Sequence, residues 1–231
     1  MPTVGEIVAD VTPALVPRRQ TLQGRFVSIE PLDPSTHADA LYEGTHGDDR
    51  DELWRYLFEG PFPDRSIFEA HLRQQASSDD PLFFAIVDKA SGLAVGQAAY
   101  LRVEPVHKVI EVGHIIFTSK LQRTVGATEA MFLMAQHVFD LGYRRYEWKC
   151  NARNEPSMRA ARRLGFTFEG IFRQHLIVKG RNRDTAWFSM LDVEWPARKA
   201  NFERWLDPDN FDQHGRQRLS LTELNASSSQ N

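Results

Sequence analysis

Val109-Ile110-Glu111-Val112-Gly113-His114-Ile115-Ile116-Phe117, the short polar segment 118–124, and then Ala127-Thr128-Glu129-Ala130-Met131-Phe132-Leu133-Met134 form the stretch that decides the fold. The first part is apolar and β-branched, as a mostly buried strand requires. The last part begins a helix over 127–141 that places Met131, Met134, Val138 and Leu141 on one stripe. Where a strand gives way through a loop to a helix, free backbone N–H groups and the positive end of the helix dipole converge. Gln122-Arg123-Thr124-Val125-Gly126-Ala127-Thr128 is therefore a candidate cradle for an anion such as a pyrophosphate. An ordinary turn into a helix is the alternative reading of the same residues.

Upstream, Arg25-Phe26-Val27-Ser28-Ile29 alternates as a first strand, and Pro34-Ser35-Thr36 opens a helix through Ala38 and Leu41. A short helix is predicted over 51–58, stopped by Gly60-Pro61-Phe62-Pro63, and another over 67–76. Segments 82–87 and 94–102 read as a hairpin across Asp88-Lys89-Ala90-Ser91-Gly92. Downstream come a strand over 146–150, a helix over 155–164 closed by Gly165, and a final hairpin of 166–178 with 185–191 across Lys179-Gly180-Arg181-Asn182. The sum is a mixed α/β domain with hairpins at both ends and one strand-helix-strand unit between them.

Of the 231 residues, 42% are hydrophobic and 26% charged, enough for one sizeable core. A formal net charge of −3 gives no global basic field, so direct nucleic-acid binding is not expected. The single Cys150 excludes an intrachain disulfide and suits a reducing, cytoplasmic setting. No run reaches the ~18 apolar residues of a membrane span, and the start carries Glu6, Asp10 and Pro13 with no basic residue. The histidines show no paired spacing, so no metal site is expected. The expected organisation is an arm over 1–20, one domain over 21–196, and a helical extension over 197–231. Residues 219–231 close in a Ser-rich stretch whose composition buries little, and both ends are expected to be mobile.

Two separated blocks carry a resemblance to the GNAT N-acetyltransferases. The loop resembles the family's acetyl-CoA motif, Gln/Arg-x-x-Gly-x-Gly/Ala. In one register Gln122 and Ala127 match and Val125 stands where glycine is usual; in the other, Arg123, Gly126 and Thr128 take the slots. The later block is Asn154-Glu155-Pro156-Ser157, Leu164-Gly165-Phe166, Glu169-Gly170 and Arg173, continuing through Gly180, Asp184 and Ser189 to Glu194-Trp195. Trp54, Tyr56 and Leu57 with Gly60-Pro61-Phe62 resemble the family's early helical region. The resemblance spans residues 22–196 and is nearest to the ribosomal-protein alanine N-acetyltransferase branch. It implies a central twisted mixed sheet of about six to seven strands, splayed in the middle, flanked by helices and holding acetyl-CoA in the splay.

That resemblance sets the expectations for chemistry. An amine must be neutral to attack a thioester, and its ordinary pKa of about 8 to 10 calls for a deprotonation step. Glu111 is the candidate base, or else merely a solvent-facing strand residue; Glu147 is the alternative at similar depth. Ser157 occupies the place where the branch carries a serine proposed to protonate the leaving thiolate. Asn154 is a candidate cofactor contact, although N-capping alone explains an Asn at that position. Arg159, Arg162 and Arg163 flank the apolar stripe Met158, Ala161 and Leu164 and are expected to face outward, with one free to reach the adenosine phosphates. Lys179, Arg181 and Arg183 make the last hairpin tip basic. His114 reads as a packed histidine. The expected activity is direct acetyl transfer to a primary amine in a ternary complex, with N–H groups of the Glu111 strand holding the oxyanion. A peptide N-terminus is the first acceptor class, small amines such as polyamines, amino acids or antibiotics the second, and a non-catalytic acyl-CoA-binding module the rival. A monomer or homodimer is expected.

Overall fold

The computed structural model describes residues 4–227. Its strands, in chain order, are β1 Leu22–Gln23, β2 Val27–Pro31, β3 Leu82–Asp88, β4 Ala94–Glu104, β5 Val109–Phe117, β6 Arg145–Asn151, β7 Thr167–Val178 and β8 Arg181–Leu191. The helices are α1 Pro34–Thr45, α2 Arg50–Leu53, α3 Arg65–Ser77, α4 Val125–Asp140, α5 Glu155–Arg163, α6 Trp195–Leu206 and α7 Leu221–Ser227. The strands form one mixed sheet in the order β1-β2-β3-β4-β5-β6-β8-β7. It has eight strands where six to seven were expected, because the two-residue β1 adds a strand through Leu22 opposite Ile29. No helix among the described residues is long and apolar enough to cross a membrane.

Both faces of the sheet are covered, so β3 reads as a continuous apolar run rather than an alternating one. Leu82, Phe84 and Ile86 face α4, whose Met131, Met134, Ala135 and Val138 are buried. Phe83, Ala85 and Val87 face α1 and α3 through Ala38, Leu41, Phe68 and Leu72. Asp33 and Asp64 cap these two helices by accepting from Ser35 N and Ile67 N. The helix expected over 51–58 stops at Leu53. Its apolar Trp54 turns into the core and donates Nε1 to Thr45 O, while the Trp54 carbonyl accepts from Lys179 Nζ at 2.8 Å and from Leu57 N at 3.2 Å in a tighter turn than an α-helix.

Among the described residues, β5 and β6 are the only parallel neighbours, and they are joined through α4. Their register runs from Val109 opposite Arg145 to Val112 opposite Trp148 and then ends. Beyond it, β5 continues against β4 alone and β6 against β8 alone. Between Ala99–Gly113 and Gln97–Ile116, β5 holds one more residue than β4, and His114 takes φ 49°, so a bulge turns β5 away at the point of divergence. A V-shaped gap opens in the middle of the sheet.

Glu129, to which sequence analysis assigned no role, fastens α4 to the start of the sheet. Its buried carboxylate accepts from Arg25 N (2.8 Å), Phe26 N (2.6 Å) and Val27 N (2.9 Å). Gly24 must lack a side chain there, since a Cβ would lie 2.5 Å from Glu129 Oε2 and 2.8 Å from Val27 O.

Both ends differ from expectation. The arm has no helix or strand over residues 4–20, yet it is docked: Ala14 N donates to Pro105 O, Leu15 N to Leu141 O, and Asp10 pairs with Lys108 at 2.9 Å. Residues 221–227, expected to bury little, form α7 with Leu221 and Leu224 in the core. The apolar spacing Leu221, Leu224 was present, but the polar residues around it masked it. The remaining tail, 228–231, lies outside the described residues. Trp195 and Phe202 of α6 pack on Phe132 of α4 with ring centroids 6.1 and 5.3 Å away, and Phe202, Trp205, Leu221 and Leu224 of the C-terminal extension all join the main core.

Candidate active site

The gap between β5 and β6 is the mouth of a cleft of about 1040 Å³. One side is the strand-to-helix junction before α4. Thr124 caps α4, its hydroxyl accepting from Ala127 N at 3.2 Å and donating to Leu121 O at 2.7 Å. Val125 and Gly126, at the first turn, retain N–H groups with no intrahelical acceptor. Arg123 sits at φ 62°, in the left-handed region, which reverses the chain just before the cap. Gln122 braces the loop by donating Nε2 to Phe117 O at 2.8 Å. Gln122, Arg123, Thr124, Val125, Ala127 and Thr128 all line the cleft. Gly126 faces the other way, toward the core: a Cβ there would stand 3.0 Å from Val27 Cγ1. Its glycine therefore answers to helix–sheet packing.

Arg163 turns inward, unlike Arg159, which pairs with Glu155, and Arg162, which lies over Phe168 and Phe188. Its Nη1 donates to Thr128 Oγ1 at 3.1 Å and its guanidinium stacks 5.0 Å from the Trp205 ring. This brings a cation to the first turn of α4. Trp205, Phe211 and Gln217 of the C-terminal extension also line the cleft, a contribution from residues outside both sequence blocks.

The other side is a charge network drawn from β4, β5, β6 and β7, with Glu111, Glu147 and Lys149 buried at its centre. Glu111 is 6% exposed, so the solvent-facing reading fails; its side chain lies on the cleft wall. Lys149 Nζ lies 2.7 Å from Glu111 Oε2 and 2.7 Å from Glu147 Oε2, and 3.9 Å from the centre of the Trp187 ring. Arg145 bonds Glu147 through Nε at 2.7 Å and grips Glu169 through both Nη atoms at 2.8 and 2.6 Å. Arg102 stands 3.7 Å from Glu111 and 3.8 Å from Glu147.

The two candidate bases are not equivalent. Burial, only partly offset by Lys149, raises the Glu111 pKa above the usual glutamate value, with the like charge of Glu147 adding to it. Burial also pushes Glu147 upward, but hydrogen bonds from Lys149 and Arg145 outweigh it and hold that carboxyl below the usual value. A proton acceptor for an ammonium benefits from the higher pKa, which favours Glu111.

Asn154 caps α5 by accepting from Ser157 N at 3.2 Å. Ser157 Oγ accepts from Trp148 Nε1 at 3.0 Å, so its own proton is available to an acceptor, with Cys150 one such partner within reach. Both residues line the cleft. Cys150 lies within reach of the Ser157 hydroxyl, and burial pushes its thiol up, so it is a poor nucleophile. His114 packs on Phe83 and Phe58 with centroids 5.1 and 5.9 Å away, and burial lowers its pKa, as for a neutral packed histidine.

An acetyltransferase (GNAT) domain model matches residues 27–167. A GCN5-related N-acetyltransferase from Brucella melitensis is 50% identical and superposes with a TM-score of 0.93 over 95% of this chain and 100% of that one. This chain belongs to the GNAT acetyltransferase family. A protein described as a GNAT-family acetyltransferase from Chromobacterium violaceum is 41% identical, with a TM-score of 0.79 over 85% of this chain and 98% of that one. A microcin self-immunity acetyltransferase solved with acetyl-CoA and AMP, 20% identical with a TM-score of 0.64, covers 73% of this chain and 93% of itself; it shares the fold. Among the curated proteins, none matches this chain.

The GNAT chain is an acyltransferase, and the family's co-substrate is acetyl-CoA. The cleft fits such a molecule on three counts. It is long enough to run from the α4 junction to Glu111, it has free N–H groups and Arg163 at the anionic end, and its strands are splayed where amide groups could pair with strand edges.

Proposed function

We propose that this GNAT acyltransferase transfers acetyl from acetyl-CoA to a primary amine, with Glu111 as general base and Ser157 as general acid, by direct attack in a ternary complex. One observation carries the reading. A buried carboxylate with a raised pKa and a serine hydroxyl whose oxygen is held by Trp148 line the same cleft as an anion-ready helix start. The description of the Brucella relative as an N-acetyltransferase supports transfer to nitrogen.

Bound acetyl-CoA supplies an acetyl thioester at the vertex of the V. Glu111 takes the proton that the incoming ammonium must shed, and the neutral nitrogen then bonds to the carbonyl carbon as the carbon–sulfur bond breaks. N–H groups of β5 beyond Val112, which have no strand partner on the β6 side, hold the charge that develops on the carbonyl oxygen. The Ser157 proton goes to the departing sulfur, the second proton that the nitrogen sheds in becoming an amide returns to the serine oxygen through water, and Trp148 Nε1 keeps that oxygen oriented. Thr124 fixes the α4 junction, and Val125, Gly126 and Arg163 take the pyrophosphate. A peptide N-terminus is the leading acceptor class, by resemblance to the ribosomal-protein branch.

Acetyl-CoA at a hundred times its Kd should stabilise the fold by about 2.7 kcal/mol, read as a rise in Tm, with a smaller rise from adenosine 3′,5′-bisphosphate. Thiol release across an amine panel then tests turnover. No thermal shift and no calorimetric heat with acetyl-CoA would overturn the proposal.

A further inference from the structure

Lys179 and Arg181 belong to the basic hairpin tip, but Arg183 does not. The turn is shorter than the sequence suggested and β8 begins at Arg181, which carries Arg183 into the sheet at 7% exposure. Alternate residues Arg183, Thr185 and Trp187 all line the cleft, with Trp187 opposite Lys149 and Thr185 opposite Asn151. Arg183 therefore extends the row that starts at the Glu111–Lys149 pair.

The charges on this face balance without it. Glu111, Glu147 and Glu169 stand against Lys149, Arg145 and Arg102 in direct ion pairs. Arg183 makes no ion pair or hydrogen bond to any described residue, and its Nε is buried with no acceptor. Its guanidinium carbon lies 4.9 Å from the Phe58 ring, and Glu111 and Cys150 act on it only through space, without direct contact. Further along the same row, the Trp187 indole N–H is likewise buried without an acceptor. His175 Nδ1 is tied to Thr185 Oγ1 at 3.0 Å, leaving its other ring nitrogen for the cleft that it also lines. A buried guanidinium remains charged at neutral pH and is costly unless an anion meets it. Proteins keep such a group where a ligand completes it, and here the ligand would enter beside the proposed base.

We propose that the amine acceptor carries a carboxylate and that Arg183 binds it. The inference rests on the reading of this cleft as the acetylation site. One unpaired positive charge calls for one negative charge, and the planar guanidinium matches the two oxygens of a carboxylate. The acceptors in view are amino acids and peptides with an acidic group close to the amino terminus, rather than polyamines. Glu111 receives the ammonium end and Arg183 the carboxylate end.

The test is steady-state acetylation of matched pairs: glycine, β-alanine, γ-aminobutyrate and glycylglycine, each beside its carboxamide, with spermidine and O-phosphoethanolamine for comparison. For at least one pair the acid should exceed its amide by about tenfold or more in kcat/KM, through KM. Arg183→Met should remove that preference while leaving acetyl-CoA affinity unchanged, and Arg183→Lys should restore part of it. Arg183→Met should also keep or raise Tm, because an apolar side chain replaces an unpaired buried charge. A residue present only for packing would instead lose Tm and show no acid–amide difference. Amides or spermidine preferred by the parent, O-phosphoethanolamine preferred over every carboxylate, or a preference that survives Arg183→Met would each overturn the inference. If no panel member turns over, calorimetry of the N-acetylated acids into the CoA-saturated protein decides: no binding in the parent, or equal binding in Arg183→Met, overturns it. Failure of acetyl-CoA itself to bind would instead strike the proposed function.

Discussion

Glu111 and Glu147 lie opposite each other in the β5–β6 register and share Lys149, yet their surroundings separate them. Arg145 is the difference, since it bonds Glu147 directly and leaves Glu111 with the larger uncompensated burial. Glu111→Gln should lower kcat by roughly 10²- to 10⁴-fold with acetyl-CoA affinity unchanged, and the loss should shrink at high pH, where more amine arrives neutral. In the parent, the acidic limb of the pH–rate profile should lie above the ordinary glutamate range, following the raised pKa, and it should vanish in the variant. A near-parental Glu111→Gln beside a collapsed Glu147→Gln would move the role to Glu147; two near-parental variants would point to deprotonation by solvent.

Helix α4 serves the fold and the site at once, and its two roles are separable. Glu129 holds its first turns against the start of β2 through three charge-assisted hydrogen bonds. Glu129→Ala leaves three backbone N–H groups without their acceptor, two of them only partly buried, and should cost about 3 kcal/mol in denaturant unfolding. Ala127→Glu should act on binding instead, because its new carboxylate enters the cleft at the cofactor end and opposes a pyrophosphate by charge and bulk. Calorimetry with acetyl-CoA should show at least about tenfold weaker binding than for Gln74→Glu on the exposed side of α3. Equal affinities in the two variants would mean that the cradle lies elsewhere.

Across the whole molecule, pH acts on the charge network with two signs. Glu147 and Glu169 have lowered folded-state pKa values. Their contribution is therefore complete above the unfolded value near 4.3 and is lost as pH falls through the folded one. Glu111 is opposite: its raised pKa favours the fold at low pH, and its ionisation costs stability as pH rises through the folded value. Acid unfolding should steepen below the ordinary carboxylate range, and Glu147→Gln should flatten that fall. Glu111→Gln should show no loss of Tm at neutral pH, checked by thermal melts across pH. Because Glu169 is substantially exposed, its share should weaken with added salt.

The sequence by itself determined the strand-loop-helix order around 109–141, the two hairpins and the family blocks, because hydrophobic period, caps and turn residues are local properties. It brought nearly all the proposed cofactor residues to one cleft, since the loop before a crossover helix always faces the strand ends it joins. It could not separate Glu111 from Glu147, find the Glu129 fastening, or tell that Arg163 and Arg183 point inward while their neighbours do not. Those outcomes depend on contacts between residues far apart in the chain: Arg145 against Glu147 and Glu169, Glu129 against Val27, Trp205 against Arg163. Burial, and with it every pKa and every unmet charge in the cleft, exists only once the sheet has closed around its gap.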